Sequence, residues 1–296
     1  MQPKLKGSIT AMITPFRNGK VDYDAFGKFI NWQIAEGTHG FVPCGTTGES
    51  PTLNHDDHNE VIRFCIEETK GRIPVIAGTG SNSTEEAISM SVTAEKNGAD
   101  AVLVVVPYYN KPTQEGLYQH FRAVDAAIGI PLIVYNVPGR TITDIKDETL
   151  LRLFELRNFK GVKDATGNLE RIRFLKKHTP EDFAYLGGED DLAVEINKLG
   201  ACGTISVTSN IAPKLCAEMQ SLSLAGKVKE AEKIQEKLMP LHSAMFCETS
   251  PGPVKYAAKL LGLCDGSLKL PLVEIAAEHR QVVEKTMSDL MLIKIK

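Results

Sequence analysis

The chain has 296 residues, 43% of them hydrophobic, enough to bury the core of one large α/β domain with an appendage, or of two small domains. Its 34 basic and 37 acidic residues leave a net charge of −3 and are well mixed, so no basic stripe tracks a phosphate backbone and no Lys/Arg block suggests a membrane surface. That balance argues against nucleic acid and against a membrane as partners.

Short β-branched runs alternate with amphipathic segments along the chain. The N-terminal MQPKLKGSITAMITPF lacks the long apolar core of a signal peptide. Within it GSITAMIT (7–14) reads as a strand, followed by a helical pattern from Asp24 to Glu36. GFVPC (40–44) precedes a helix over Asp57–Lys70, and PVIAG (74–78) precedes one over Glu85–Asn97. AVLVVVP (101–107), the most apolar stretch and far too short to span a bilayer, leads to a helix over Glu115–Ile128. Then come PLIVYNV (131–137), FKGVKD (159–164) with a helix over Leu169–His178, FAYLG (183–187) and CGTISVT (202–208). Several runs are nearly continuous in apolar residues, as strands buried on both faces are. Gly37, Gly71, Gly98, Gly129 and Gly200 read as helix stops.

Eight such units predict an α/β fold, a (β/α)8 TIM barrel. An open doubly wound sheet is the rival, but its glycine-rich dinucleotide loop is replaced after the first strand by TPFRNG. Beyond residue 225 the strand pattern stops, and Lys227–Phe246, Val254–Leu263 and Leu272–Met291 read as helices. The expected organisation is a barrel over 1–225 and a C-terminal helical extension over 226–296. Six scattered cysteines with no CxxC pair read as reduced thiols of a cytoplasmic protein.

In such barrels chemistry gathers where the C-terminal strand ends converge. Those ends present Gly45-Thr46-Thr47-Gly48-Glu49, Pro107-Tyr108-Tyr109-Asn110, Tyr135 through Arg140, Lys163, Gly187-Gly188-Glu189-Asp190 and Ile205-Ser206. Hydroxyls, one arginine and one lysine meet there without a His, Cys or carboxylate ligand cluster, so neither a metal nor a cofactor is expected. This set suits proton shuttling around a lysine nucleophile better than metal-assisted hydrolysis.

A lysine near a strand end is usually a solvated flank. Lys163 instead follows Phe159, Gly161 and Val162 inside a buried run, where desolvation disfavours the charged amine. A neutral amine can attack a ketone and form an imine. Thr46-Thr47 reads either as a tight turn or as a cradle of N–H groups for a carboxylate at a helix start. Tyr108, Tyr109 and Tyr135 are singly ordinary packing aromatics, and only their shared place at strand ends favours chemistry.

GTTGES, AGTGSNST, PYYNKPTQEG, YNVPGRT, GVKDATGN and TISVT, in this order, resemble the dihydrodipicolinate synthase family of pyruvate-dependent class I aldolases. The resemblance implies condensation of pyruvate with L-aspartate 4-semialdehyde, in the diaminopimelate route to L-lysine. It makes Lys163 the Schiff-base lysine and Tyr135 the proton-transfer tyrosine. Thr46 and Tyr109 complete a hydroxyl relay, with Tyr109 reaching a neighbouring subunit's site in a homotetramer built as a dimer of dimers. Thr47 binds the pyruvate carboxylate, Arg140 grips that of the aldehyde, and Gly188 and Ile205 line the site. Ile142 stands where the family carries a glycine, which bears on the shape of the aldehyde pocket. Ser50, His55, His58, Asn82, Glu86 and Tyr108 match the family's allosteric L-lysine site, with Glu86 supplying the full negative charge.

N-Acetylneuraminate lyase and the 2-keto-3-deoxy-sugar acid aldolases share this fold and lysine, but Thr46-Thr47 with Arg140 in YNVPGR favours the dihydrodipicolinate reading. A non-catalytic binding barrel needs neither the lysine nor the hydroxyls. A metal-dependent hydrolase built on His55 and His58 lacks an evident third ligand.

Overall fold

A computed structural model describes residues 5–294. The ends of the two expected units, 1–4 and 295–296, lie outside the described residues. Eight parallel strands make one ring: β1 (Gly7–Ala11), β2 (Gly40–Val42), β3 (Ile76–Gly78), β4 (Ala101–Val105), β5 (Leu132–Asn136), β6 (Phe159–Asp164), β7 (Ala184–Gly187) and β8 (Gly203–Ser206). They pair in the order β2-β1-β8-β7-β6-β5-β4-β3, and a parallel bridge between Phe41 and Val75 closes the ring. The fold is a (β/α)8 barrel with helices added at its C-terminal side, as the alternation of elements predicts.

Most strands are shorter than the apolar runs that announce them. Met12, Ile13 and Thr14 leave the ladder after β1 yet stay buried, and the Ile13 N–H donates to Asn210 Oδ1 at 2.9 Å. Apolar runs report burial, not ladder pairing. A two-residue ribbon, Phe16–Arg17 against Lys20–Val21, follows and carries no period long enough to be read in advance.

The helices are α1 (Tyr23–Ala35), α2 (His55–Thr69), α3 (Thr84–Lys96), α4 (Gln114–Ala127), α5 (Asp147–Arg152), α6 (Leu169–His178), α7 (Ala193–Lys198) and α8 (Pro213–Leu224). Five begin at a side chain that accepts from the first turn: Asp22, Asn54, Ser83, Thr113 and Asn168. Gly37, Gly71, Gly98 and Gly200 follow helices at positive φ, as stop residues should. Gly129 does not. Helix α4 ends at an extended Ile128, and the Gly129 N–H donates instead to Glu95 Oε1 at 2.9 Å, so its role is close approach rather than a left-handed cap.

Three more helices follow: α9 (Val228–Ala244), α10 (Gly252–Leu260) and α11 (Ala277–Asp289). The last is shorter than the expected Leu272–Met291, because Ala276 is extended and its N–H donates to Glu248 Oε2 at 2.9 Å, which fixes the helix start there. Helix α10 starts two residues earlier than expected, with Pro253 in its first turn.

Two cores result from strand alternation. Ile9, Val42, Ile76, Leu103, Ile133, Tyr135, Leu186 and Ile205 fill the barrel interior. Val102, Val104, Leu132, Val134 and Val162 face outward into a layer shared with the helices. That outer layer runs on into Leu238, Leu241, Val254, Val283 and Met287 of the C-terminal helices. Among the described residues no helix is long and apolar enough to cross a membrane.

Candidate active site

Strands β5 and β6 pair with Tyr135 opposite Lys163 and Asn136 opposite Asp164. Because faces alternate, Tyr135 and Lys163 share the interior face while Val134 and Val162 turn outward. Gly161, two residues before Lys163 on the same face, lies so close to Ala184 and Ile133 that an added Cβ would sit 2.6 Å from the Ala184 carbonyl oxygen. Lys163 is only 7% exposed, and its Nζ stands 4.2 Å from the centre of the Tyr135 ring. Among the described residues it has no hydrogen-bond or ion-pair partner, so the amine is held by packing and is free to react.

Its neighbour Asp164 points the other way and is fully engaged. It accepts from Tyr185 Oη at 3.0 Å and Arg171 Nη1 at 3.4 Å. Arg171 also reaches Asp144 at 3.1 Å, Asp147 at 2.7 Å and the Ile145 carbonyl at 3.2 Å. Burial works against its charge, but the Asp144, Asp164 and Asp147 carboxylates outweigh that and raise its pKa. Burial and the same Asp164 hold the Tyr185 hydroxyl protonated. Asn136 adds two bonds, donating to Asp144 Oδ1 at 2.7 Å and accepting from the Ile145 N–H at 3.2 Å. The network staples the segment after β5 to the base of the lysine.

That segment carries Arg140 in a single helical turn, Pro138–Thr141, with its side chain exposed. The next turn residue, Ile142, has φ +62° and is 69% exposed. A left-handed backbone is where glycine is favoured and a β-branched residue is strained, so the local geometry explains why a glycine suits this position.

A cleft of about 380 Å³ opens beside these groups, walled by Thr46, Tyr135, Arg140 and Tyr108. Lys163, whose amine lies over the ring of the wall residue Tyr135, is not itself among the wall residues, and neither are Thr47, Gly188 and Ile205. Gly188 spends its N–H on the Asp164 carbonyl at 2.7 Å, and a Cβ there would meet Ala165 at 2.5 Å. Ile205 is an interior core residue.

The Thr46-Thr47 turn is not at a helix start. It leads into one 3-10 turn, Ser50–Thr52, and α2 begins only at His55. The N–H groups of Gly48, Glu49 and Ser50 fold back on the Gly45 and Thr46 carbonyls. Those of Thr46 and Thr47 have no partner among the described residues and remain available to a carboxylate. Tyr109, at φ +72° and 89% exposed, does not join the cleft of its own chain.

The second group of residues opens into the same cleft. Ser50, His55, His58, Glu86 and Tyr108 line it alongside Thr46, so one chain holds both sets in a continuous depression. Asn82 is not on its walls and instead accepts at its carbonyl from Asn110 Nδ2 at 2.8 Å. Glu86 accepts from Ser81 Oγ at 2.7 Å and lies 4.0 Å from His55 Nε2. His58 is buried, with neither ring nitrogen bonded among the described residues, and burial lowers its pKa to about 4. It is a neutral wall rather than a cationic clamp. Among the described residues no three His, Cys, Asp or Glu side chains group to hold a metal.

Sequence reading missed Arg171 and Asp144, and it named Glu189 at a strand end without giving it a role. Burial, then Asp191 and Asp190, raises the Glu189 carboxyl, while the Lys163 charge acts in the opposite sense. Its place in GGED at a strand end was the available signal.

A model of the dihydrodipicolinate synthetase family matches residues 4–290. A 4-hydroxy-tetrahydrodipicolinate synthase of Afipia carboxidovorans is 56% identical over 284 residues, 96% of this chain and 96% of that protein. Two solved structures superpose over nearly the whole chain. A chloride-inhibited dihydrodipicolinate synthase of Acinetobacter baumannii, complexed with pyruvate, has a TM-score of 0.95 at 44% identity, covering 98% of this chain and 100% of that one. A lysine-bound enzyme of the same name from Cyanidioschyzon merolae has a TM-score of 0.95 at 37% identity, with the same coverage.

Proposed function

The chain belongs to the dihydrodipicolinate synthetase family, and we infer that it is a Schiff-base lyase condensing pyruvate with L-aspartate 4-semialdehyde to 4-hydroxy-tetrahydrodipicolinate, in lysine biosynthesis. The observation that carries the site assignment is the buried, unpartnered Lys163 amine beside Tyr135 on the interior face of the barrel.

In this reading the Lys163 amine attacks the pyruvate ketone carbon, and loss of water leaves an iminium. The iminium draws electrons from the adjacent methyl, whose proton passes to Tyr135 Oη, and an enamine results. The enamine carbon forms the new bond to the aldehyde carbon, and the aldehyde oxygen takes a proton back from the relay. The substrate's own amine then adds to the iminium carbon, closes the ring and expels Lys163 as a free amine. Thr46 lines the same cleft as Tyr135, and its hydroxyl can pass the proton on.

The free Thr46 and Thr47 N–H groups suit the pyruvate carboxylate, and the exposed Arg140 guanidinium suits the carboxylate of the aldehyde. Gly188 and Ile205 back the site. The exposed, left-handed Tyr109 supports completion of the relay by a second copy, within a homotetramer acting in the cytoplasm. The lysine-bound relative supports L-lysine as an inhibitor at Ser50, His55, His58, Asn82, Glu86 and Tyr108, with Glu86 as the ammonium partner. No cofactor enters any step.

Steady-state assays with pyruvate and either L-aspartate 4-semialdehyde or N-acetylmannosamine test the substrate. Turnover only with the semialdehyde is expected, and turnover only with the amino sugar would reassign the enzyme.

A further inference from the structure

We infer that Lys255, on helix α10, is a positioning residue for the Thr46-Thr47 turn, so that the C-terminal helices set the geometry of the pyruvate carboxylate site. The inference rests on the reading that this turn receives that carboxylate.

The turn is anchored at Glu49. This residue has φ +58° and is 1% exposed, a left-handed backbone that a side-chain-bearing residue keeps only when its surroundings hold it. Its N–H donates to the Thr46 carbonyl at 3.1 Å, so any rotation of Glu49 is passed directly to Thr46. Both of its carboxylate oxygens are taken by the C-terminal part of the chain. Oε1 accepts from Lys255 Nζ at 2.6 Å, and Oε2 accepts from the Lys269 N–H at 2.9 Å.

Lys255 is itself fully buried, with 0% exposure. It spends a second N–H on the Thr14 carbonyl at 2.9 Å, and its Nζ rests 4.1 Å from the Phe16 ring centre. Thr14 in turn donates from Oγ1 to the Gly48 carbonyl at 2.7 Å. Lys255 therefore joins the segment after β1, α10 and, through Glu49, the Thr46-Thr47 turn at one atom. A fully desolvated ion pair is a weak source of stability compared with apolar packing, because solvation is lost on both sides. What it provides is one defined geometry, and here the group whose geometry it defines is two residues from Thr47.

The test compares the enzyme with Lys255→Met/Glu49→Gln, which removes both charges together, and with Glu49→Asp, which keeps both and shortens the tether by one methylene. Circular dichroism melts establish folding. Pyruvate KM, semialdehyde KM and kcat are then measured for each, with Thr47→Val as a parallel variant. The expected result is a pyruvate KM raised about tenfold in the double variant and in the same direction in Glu49→Asp, the order that follows when a positioning group shifts by a fraction of an ångström. Semialdehyde KM should change far less. Should the double variant not fold, Glu49→Asp decides. A folded variant with melting point lowered but pyruvate KM unchanged overturns the inference and leaves Lys255 a purely structural residue. The Thr47→Val result separately decides the part of the hydroxyl: a raised pyruvate KM there assigns the Thr47 side chain to the carboxylate, and an unchanged one leaves the carboxylate to the backbone N–H groups, whatever the other variants do.

Discussion

Two lysines are buried in this molecule under opposite conditions. Lys163, in the barrel mouth, is without a bonded partner and leans on an aromatic ring. Lys255, in the seam between barrel and C-terminal helices, is bonded to Glu49 and to the Thr14 carbonyl, and it too stands over an aromatic ring, that of Phe16. Burial lowers the Lys255 pKa, while the Glu49 charge acts to keep its proton on. An ammonium held on a carboxylate and a carbonyl has no lone pair with which to attack, and an amine with neither partner contributes little to holding the fold. The two buried lysines thus differ in their partners, not in their burial, and on the proposed function that difference separates a nucleophile from a rivet.

Substituting each lysine separates the two roles. Lys163→Ala should lower turnover by at least about a thousandfold, the scale of losing a covalent nucleophile, while the melting point stays near that of the wild type. Lys255→Met should do the reverse to stability: it strands the Glu49 charge in the core, at a cost of about 3–5 kcal/mol or roughly 10 °C in Tm. Thermal melts and initial rates on both variants check the pair, and a large Tm loss in Lys163→Ala would erase the contrast.

Arg140 sharpens the comparison at the mouth. It sits on an exposed turn, and Arg140→Ala should weaken the semialdehyde step by about 2 kcal/mol, roughly thirtyfold, while pyruvate trapping on Lys163 is retained. Equal semialdehyde kinetics in mutant and wild type would take Arg140 out of the site.

Buried histidines give a third, weaker contrast. Burial lowers His58 and His120 to about 4, so both are neutral in the folded chain and gain protons only on unfolding. The unfolded chain binds more protons below about pH 6.5, so stability falls as pH drops from there towards 4, by on the order of 2–3 kcal/mol for each. Melting points of wild type and His58→Gln across that range check this, with a shallower slope expected in the variant. Smallest of all, Ile142→Gly should relieve about 1 kcal/mol of left-handed strain, read as a slight rise in Tm.

The barrel was legible because eight apolar runs alternate with capped, glycine-stopped helices, and most bounds fall within a few residues. Lys163 was legible too, since a cation inside FKGVKD contradicts its own surroundings. Lys255 was not: in PVKYAAKLL it is one more lysine on an amphipathic helix, and nothing local says that its partner lies at Glu49. Arg171 was hidden in the same way on α6, a helix rich in surface charge. The Thr46-Thr47 turn was found, but its placement at a helix start was not met, because α2 waits for the Asn54 cap. Pairings across long sequence separations leave no periodic trace.

Reduction with borohydride in the presence of pyruvate, followed by peptide mass spectrometry, tests the central claim most directly. One reduced pyruvate adduct per chain, mapped to Lys163 and absent from Lys163→Ala, is the predicted result. An adduct on any other lysine, or none at saturating pyruvate, would contradict it.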